Sequence, residues 1–233
     1  MRRSSARRKR SAQGATRWGR PPREFAGEVD ERILDAAKRV FLDHGFEGAT
    51  IDEIAEEARA GKPTIYARFP NKKALFAAVV SRKVRENTKP ERIAATGSTT
   101  EERLKGLATA VIDRNLASDT LGLMRVTVAE ARRFPDLASS VSRMAREHGN
   151  EAVAQLLGEL SRTEDLGALP AFAPDRLTAT ARRFLDAILL PIIIRALFGE
   201  DLAVLRAEIG PHVSQSVPFF LAACRHSDRA PAG

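Results

Sequence analysis

The side chains able to do chemistry in this 233-residue chain are mainly cationic, and they are placed unevenly. From Ala58 to Arg85 there are eight bases (Arg59, Lys62, Arg68, Lys72, Lys73, Arg82, Lys83, Arg85) and no acid. Solvated helix faces usually mix the two signs, so an acid-free stretch of this length needs a cause, and a polyanion lying along it supplies one. The segment before it is the reverse: Glu28 to Glu57 holds ten acids against Arg32, Lys38 and Arg39. A second cationic run opens the chain, with nine Arg or Lys in residues 1–23 and no acid. The net charge is +8, so everything after residue 23 carries −1. A nearly neutral body with a basic, disordered arm suits a nucleic acid or an anionic membrane surface. A transit peptide is the alternative for the arm and fits its Arg and Ser bias. A secretory signal is excluded, because no apolar segment follows Arg2-Arg3.

Other chemistries find no residues to carry them. His44, His148, His212 and His226 are scattered, and none has a metal-ligand partner three or four residues on. No Gly-rich phosphate loop, H-E-x-x-H or G-x-S-x-G occurs, so neither an enzyme nor a cofactor is expected. Cys224 is the single cysteine, which excludes an internal disulfide and reads as a reducing, cytoplasmic setting. It is either a buried small hydrophobe or, less in keeping with its surroundings, a redox sensor. The longest apolar run, Ala187 to Ile194, contains Pro191 and falls far short of the roughly 20 residues that cross a bilayer.

The elements that must position the basic stretch can be read from caps and periodicity. Val29, Ile33, Ala36, Ala37, Val40 and Phe41 recur at helical spacing, and Gly45 follows as a C′ residue. Thr50-Ile51-Asp52-Glu53 is a capping box that opens a short second helix along Ile54, Ala55 and Ala58. After a break at Arg59-Ala60-Gly61, Gly61 caps a third short helix with Pro63 in its first turn, and Phe69-Pro70 ends it. Asn71 caps a fourth helix with the stripe Leu75, Phe76, Val79 and Val80. Two short helices across a three-residue break have the outline of a helix-turn-helix.

The order of residues is more specific than the outline. Ile51 to Val80, "IDEIAEEARAGKPTIYARFPNKKALFAAVV", resembles the DNA-binding domain of the TetR family of bacterial transcriptional repressors. Ile33 to Thr50, "ILDAAKRVFLDHGFEGAT", resembles that family's first helix and turn. The resemblance implies a helix-turn-helix over 50–69, from Thr50 to Phe69, with Lys62, Pro63, Thr64, Tyr66, Ala67 and Arg68 on the recognition helix. It implies that Pro63 and Thr64 face bases, Tyr66 touches backbone phosphates, and Lys72 clamps a phosphate at the start of the fourth helix. Thr64 as a helix-interior hydroxyl, Tyr66 as a core aromatic and Arg68 as a solvated helix end are the plainer alternatives. Two positions depart from the family: Arg59 stands where a turn glycine is common, and Gly61 where a capping serine is common. The first is expected to force a different turn, since Arg tolerates positive φ poorly. Arg17-Trp18-Gly19-Arg20-Pro21 looks like an arm that inserts Arg17 and Arg20 into the minor groove, the alternative being a non-specific electrostatic tail.

Everything after Lys89-Pro90 reads as helix, with no alternating β pattern. Thr99–Glu102 is another capping box. Helices are expected from about Asp119 to Arg133, Asp136 to Leu160, Asp175 to Phe198, and Asp201 to Cys224 with an interruption at Gly210-Pro211. Gly167 to Pro174 reads as a loop. Leu123 to Val141, "LMRVTVAEARRFPDLASSV", resembles the AefR-like subgroup of C-terminal domains. The segment 184–198 is apolar all round, which marks either central core or a subunit interface, with Pro191 kinking it at a cost near 3 kcal/mol. The family dimerises through its last two helices. The expected interface is therefore Phe184, Ile188, Ile192 and Ile193 with Val213, Val217, Phe220 and Leu221. Met124, Met144 and Phe172 are the candidate lining of a ligand cavity, or else plain core.

The expected architecture is all-α: an N-terminal three-helix helix-turn-helix domain plus a larger helical-bundle effector and dimerisation domain. Its boundaries are a disordered basic arm at 1–26, the DNA-binding domain at 27–87, the effector and dimerisation domain at 88–225, and a tail at 226–233. The expected function is a homodimeric, ligand-responsive transcriptional regulator of the bacterial cytoplasm. It would be a repressor released from a palindromic double-stranded DNA operator by a small lipophilic effector. An activator or architectural DNA binder without an effector is the alternative. No cofactor, metal or membrane is expected.

Overall fold

The computed structural model describes residues 23–89, 97–163 and 165–226, and among them every regular element is helical. Helix α1 (Arg23–Gly48) forms along the apolar stripe Ile33, Ala36, Ala37, Val40 and Phe41, all buried. The described part of the helix begins at Arg23, ahead of the boundary expected at residues 26 and 27. At Gly45 the backbone turns to φ 71°, a left-handed conformation that glycine adopts at no steric cost. That bend puts Phe46 into the core, 2% exposed.

Helices α2 (Ile51–Glu57), α3 (Lys62–Tyr66) and α4 (Lys72–Asn87) follow the expected caps. Thr50 and Glu53 form the reciprocal capping box, and Asn71 Oδ1 accepts from the Ala74 N–H at 2.9 Å. Gly61 caps α3 through its backbone alone, with Pro63 in the first turn. Arg59 does not reroute the turn. It adopts φ 49° itself, at a cost of about 1–2 kcal/mol, and α2 still meets α3.

The C-terminal part comprises α5 (Thr100–Asn115), α6 (Ser118–Ala129), α7 (Pro135–Thr163), α8 (Leu177–Ile188), α9 (Leu190–Leu197) and α10 (Leu202–His226). Two short 3-10 turns, Asp165–Ala168 and Pro170–Phe172, occupy much of the expected loop. Helix α6 ends at Ala129, short of Arg133; Glu130 to Phe134 form tight turns before Pro135. A residue before proline is pushed out of the helical region, and here the whole last turn tightens.

Burial divides into two cores that do not respect a boundary at residue 88. The larger contains α5, the second half of α7, α8, α9 and α10. The smaller contains the buried faces of α1 to α4 together with Leu123 of α6 and Leu137 and Val141 of α7. Helix α6 serves both: Leu121 enters the larger core and Leu123 the smaller. It rides so close to α1 that a Cβ on Gly122 would lie 2.5 Å from Leu42 Cδ2. The N-terminal head and the larger body therefore share a wall.

Three sequence expectations about the C-terminal helices need correction. Asp175 to Phe198 is two helices meeting at Leu189, and Pro191 sits in the first turn of α9, where its missing N–H costs little. The region around Gly210-Pro211 is uninterrupted: α10 runs through Pro211 and Pro218. Leu205, Ile209, Val213, Val217, Leu221 and Cys224 recur along one buried stripe, and this burial on both sides of the proline offsets the lost hydrogen bond. Finally, Phe184, Ile188, Ile192, Ile193, Val213, Val217, Phe220 and Leu221 are all 7% exposed or less and belong to the protomer's own core. A segment apolar on all sides has two faces, and the named residues lie on the inner one.

Candidate nucleic-acid interface

The acid-free stretch folds into the surface formed by α3 and the start of α4. Ile65, fully buried, anchors α3 to the smaller core. On so short a helix this single anchor turns Lys62, Pro63, Tyr66 and Ala67 outward, with Thr64 half-buried beside them. Tyr66 is 50% exposed, so it is not a core aromatic. Thr50 stands at the start of α2, its hydroxyl and backbone N–H both bound to Glu53. Those bonds hold the Glu53 carboxyl below the usual carboxylate range. Arg17 and Arg20 lie outside the described residues.

The cations of this surface are held in different ways. Lys62 Nζ lies 2.9 Å from Asp52 Oδ1 of α2, a contact that raises the ammonium pKa and ties α3 to α2. Arg68 turns back: its Nε donates to Asp30 on α1, and its Nη1 donates to the Thr64 carbonyl at 3.2 Å. Its guanidinium is thus engaged inside the head, unlike the outward side chains of α3. Lys72 Nζ donates to the carbonyls of Glu47 at 3.1 Å and Ala49 at 2.9 Å, and lies 4.9 Å from the Phe46 ring centroid. It clasps the α1–α2 connection and keeps one N–H for a further acceptor. Lys73, absent from the sequence-derived site, stands 4.5 Å over the ring of Phe134. Its signal was the Lys72-Lys73 pair at a helix start. Phe46, Glu47, Asn71, Lys72, Lys73 and Phe134 together line a hollow of about 440 Å³.

Met124, Met144 and Phe172 are not brought together as a ligand cavity. Met124 packs against the larger core, Met144 against the smaller, and Phe172 is buried within the larger at 3% exposure. A different hollow of about 190 Å³ opens between α8 and α10, lined mostly by apolar groups including Ala187, Phe219, Phe220 and Cys224. Burial raises the Cys224 thiol pKa to about 11. Among the described residues no group of three or more His, Cys, Asp or Glu is placed to hold a metal ion, and no helix is long and apolar enough to cross a membrane.

Comparison with known proteins agrees with this geometry. Residues 33–79 match the family described as bacterial regulatory proteins, tetR family, and residues 102–225 match the AefR-like transcriptional repressor C-terminal domain. The helix-turn-helix transcriptional activator FasR of Mycolicibacterium smegmatis is 32% identical over 67% of this chain and 69% of its own. A helix-turn-helix transcriptional repressor of Streptomyces coelicolor is 30% identical over 72% of this chain and 82% of its own. Among solved structures, a TetR-family regulator from Mesorhizobium loti superposes with a TM-score of 0.71 at 25% identity, covering 85% of this chain and 97% of that one. The flavonoid-responsive regulator FrrA superposes with a TM-score of 0.63 at 26% identity, covering 88% and 100%. With an exposed basic reading helix in front and an all-helical body behind, the chain belongs to the tetR family of bacterial regulatory proteins and is a DNA-binding transcriptional regulator.

Proposed function

We propose that this regulator is a homodimeric repressor that leaves a near-palindromic operator when a small lipophilic molecule occupies its C-terminal body. The observation that carries the reading is α3. It presents Lys62, Pro63, Tyr66 and Ala67 to solvent within a stretch that contains no acid. One such helix enters the major groove of each half-site, with Thr64 beside the bases and the Lys72 N–H left over from its two carbonyls directed at a phosphate. The basic residues 1–22, Arg17 and Arg20 among them, add charge along the duplex, and the A·T minor groove suits them. The protein acts where the chromosome lies, in the bacterial cytoplasm.

The subunit contact uses the outer face of the helices whose inner face builds the core. Ala187, Leu190, Ile194 and Phe198 recur at three- and four-residue spacing. Leu190 is 49% exposed, Ile194 43% and Phe198 89%. Phe219 of α10, 76% exposed, shares a hollow with Ala187. Such a patch fits an isologous contact about a two-fold axis, which the operator then shares.

The effector class rests on FrrA, which is flavonoid-responsive, and on the apolar character of the larger core. Ligand pockets commonly span about 300–1,000 Å³, more than the 190 Å³ hollow offers. The effector therefore selects a second conformation with the body parted, and it weakens operator binding only by its preference for that form. FasR is an activator, so an activating role is the second reading; the sign depends on where the operator lies relative to the promoter. Footprinting on the DNA upstream of the chain's own coding region, repeated with a panel of lipophilic compounds, tests the proposal. A protected palindrome that one compound class releases is the expected result. Protection of an asymmetric site, indifferent to every compound, would overturn both dimer and effector.

A further inference from the structure

The elbow between α6 and α7 reaches back onto the DNA-facing end of the head. Phe134, the last residue before α7, packs edge-on against Phe46 with centroids 5.4 Å apart, and Phe46 packs edge-on against Phe76 of α4 at 5.4 Å. Lys73 stands over Phe134 and Lys72 over Phe46, so the two consecutive cations at the start of α4 each rest on a ring of this aromatic row. One of those rings belongs to the elbow. Beside it, Arg133 Nη2 lies 3.1 Å from Glu47 Oε1, and the carbonyl of the same Glu47 accepts from Lys72. Both lysines are thus oriented from the elbow, Lys73 directly and Lys72 through Glu47 and Phe46.

The elbow is also tied to the body. Phe134 N–H donates to the Glu130 carbonyl at 2.7 Å and Arg133 N–H to the same oxygen at 3.1 Å, which makes the turn tight. One helical turn before the end of α6, Arg125 Nη2 donates to the Ala196 carbonyl of α9 at 2.8 Å. That bond joins α6, whose end carries the elbow, to α9 of the larger core.

We propose that Phe134 and Arg133 are positioning residues for operator binding: they set how Lys73 and Lys72 are presented to the DNA backbone. The inference rests on the reading of α3 and α4 as the DNA-contacting surface, and it adds the elbow to that machinery. An attraction between an ammonium and a ring at an exposed site is worth roughly two- to fivefold in population, which sets the size of the effect.

A double-mutant cycle on the full chain tests it, with affinity for the footprinted operator as readout and the unfolding midpoint as control. Phe134→Leu should weaken binding roughly two- to fivefold, and Phe134→Trp, which keeps a ring, should restore most of it. Lys73→Ala should weaken binding on its own, and adding Phe134→Leu to it should cost less than Phe134→Leu costs the wild-type chain, the remainder acting through Phe46 on Lys72. Losses that multiply in the double variant, or a Phe134→Leu chain with wild-type affinity, would overturn the proposal. A second measurement needs no variant: in the wild-type chain the ε-methylene protons of Lys73 should show an upfield ring-current shift. An unshifted signal would remove Phe134 from beneath the lysine whatever the DNA does. A wild-type chain that shows this shift yet binds no DNA would sink the operator reading, and the proposal with it, while leaving the contact itself in place.

Discussion

Arg68, Tyr66 and Lys72 lie close together but answer to different partners, and their substitutions should separate accordingly. Arg68 is a quarter exposed and spans α1 and α3, so Arg68→Ala should lower head stability by about 1 kcal/mol, or about 2–4 °C in Tm. Tyr66→Phe changes only a solvent-facing hydroxyl; it should leave Tm alone and weaken operator binding. Lys72→Ala should do both, because the ammonium clasps two carbonyls and is proposed to face the duplex; the salt slope of binding should fall by about one unit. Thermal unfolding with operator titrations at several salt concentrations reads all three. An unchanged slope for Lys72→Ala would take that residue out of the interface. At this scale the family resemblance named Lys62, Pro63, Tyr66 and Ala67, which stand outward in the structure because the five-residue α3 has one apolar anchor, Ile65. It placed Arg68 on the recognition helix, with a solvated helix end as the alternative; the partner that turns it inward, Asp30, lies 38 residues away and leaves no local trace.

Helix α6 shows how one element is fixed between two cores. At its start, Asp119 Oδ2 lies 2.8 Å from Lys83 Nζ on α4 and 3.6 Å from Lys38 Nζ on α1. Burial alone would raise this carboxyl, but the hydrogen bond and charge of Lys83, with Lys38, outweigh it and hold the pKa below the usual 3.8. A depressed folded pKa contributes stability above the unfolded value, and that contribution is lost as the pH falls through the folded one. Asp119→Asn should therefore destabilise the chain at neutral pH, and its deficit should shrink below about pH 4. Denaturant midpoints of both proteins at pH 7 and pH 3 check this; a deficit independent of pH would exclude the ion pair as its source. The capping boxes at Thr50 and Thr99 were legible because each is complete within four residues. The behaviour of Pro191 and Pro211 was not. A proline's cost is local, whereas the burial that decides whether a helix runs through it or restarts beside it comes from other helices.

The proposed dimer belongs to the whole molecule, and there the structure changes which substitution is informative. Ile193→Asp would put a charge into the protomer's own core, 7% exposed, so it should unfold the body rather than release folded monomers. Phe219→Arg alters a side chain that is 76% exposed; it should give soluble, fully helical monomers that bind the operator weakly. Sedimentation velocity and far-ultraviolet circular dichroism distinguish the two outcomes. A Phe219→Arg chain that remains dimeric would move the contact elsewhere. The expected contact rested on apolar content and on the family's dimerisation through its last two helices, and neither has direction. Only the packing of α8, α9 and α10 against α5 and α7 shows which side is left for a partner.

Tyr66 is the chain's single tyrosine, and it stands half-exposed on the reading helix; the single tryptophan, Trp18, belongs to the basic N-terminal stretch. Every ring in the two cores is a phenylalanine. Excited beyond the phenylalanine band, the two described cores contribute no emission, and the light comes from Tyr66 and Trp18, both in parts proposed to meet DNA. Titration with unlabelled operator should quench or shift that light directly, so binding can be followed without a dye. Denaturation of the body should pass almost unseen in the same channel, and a flat emission trace on heating would be no sign that the fold had survived.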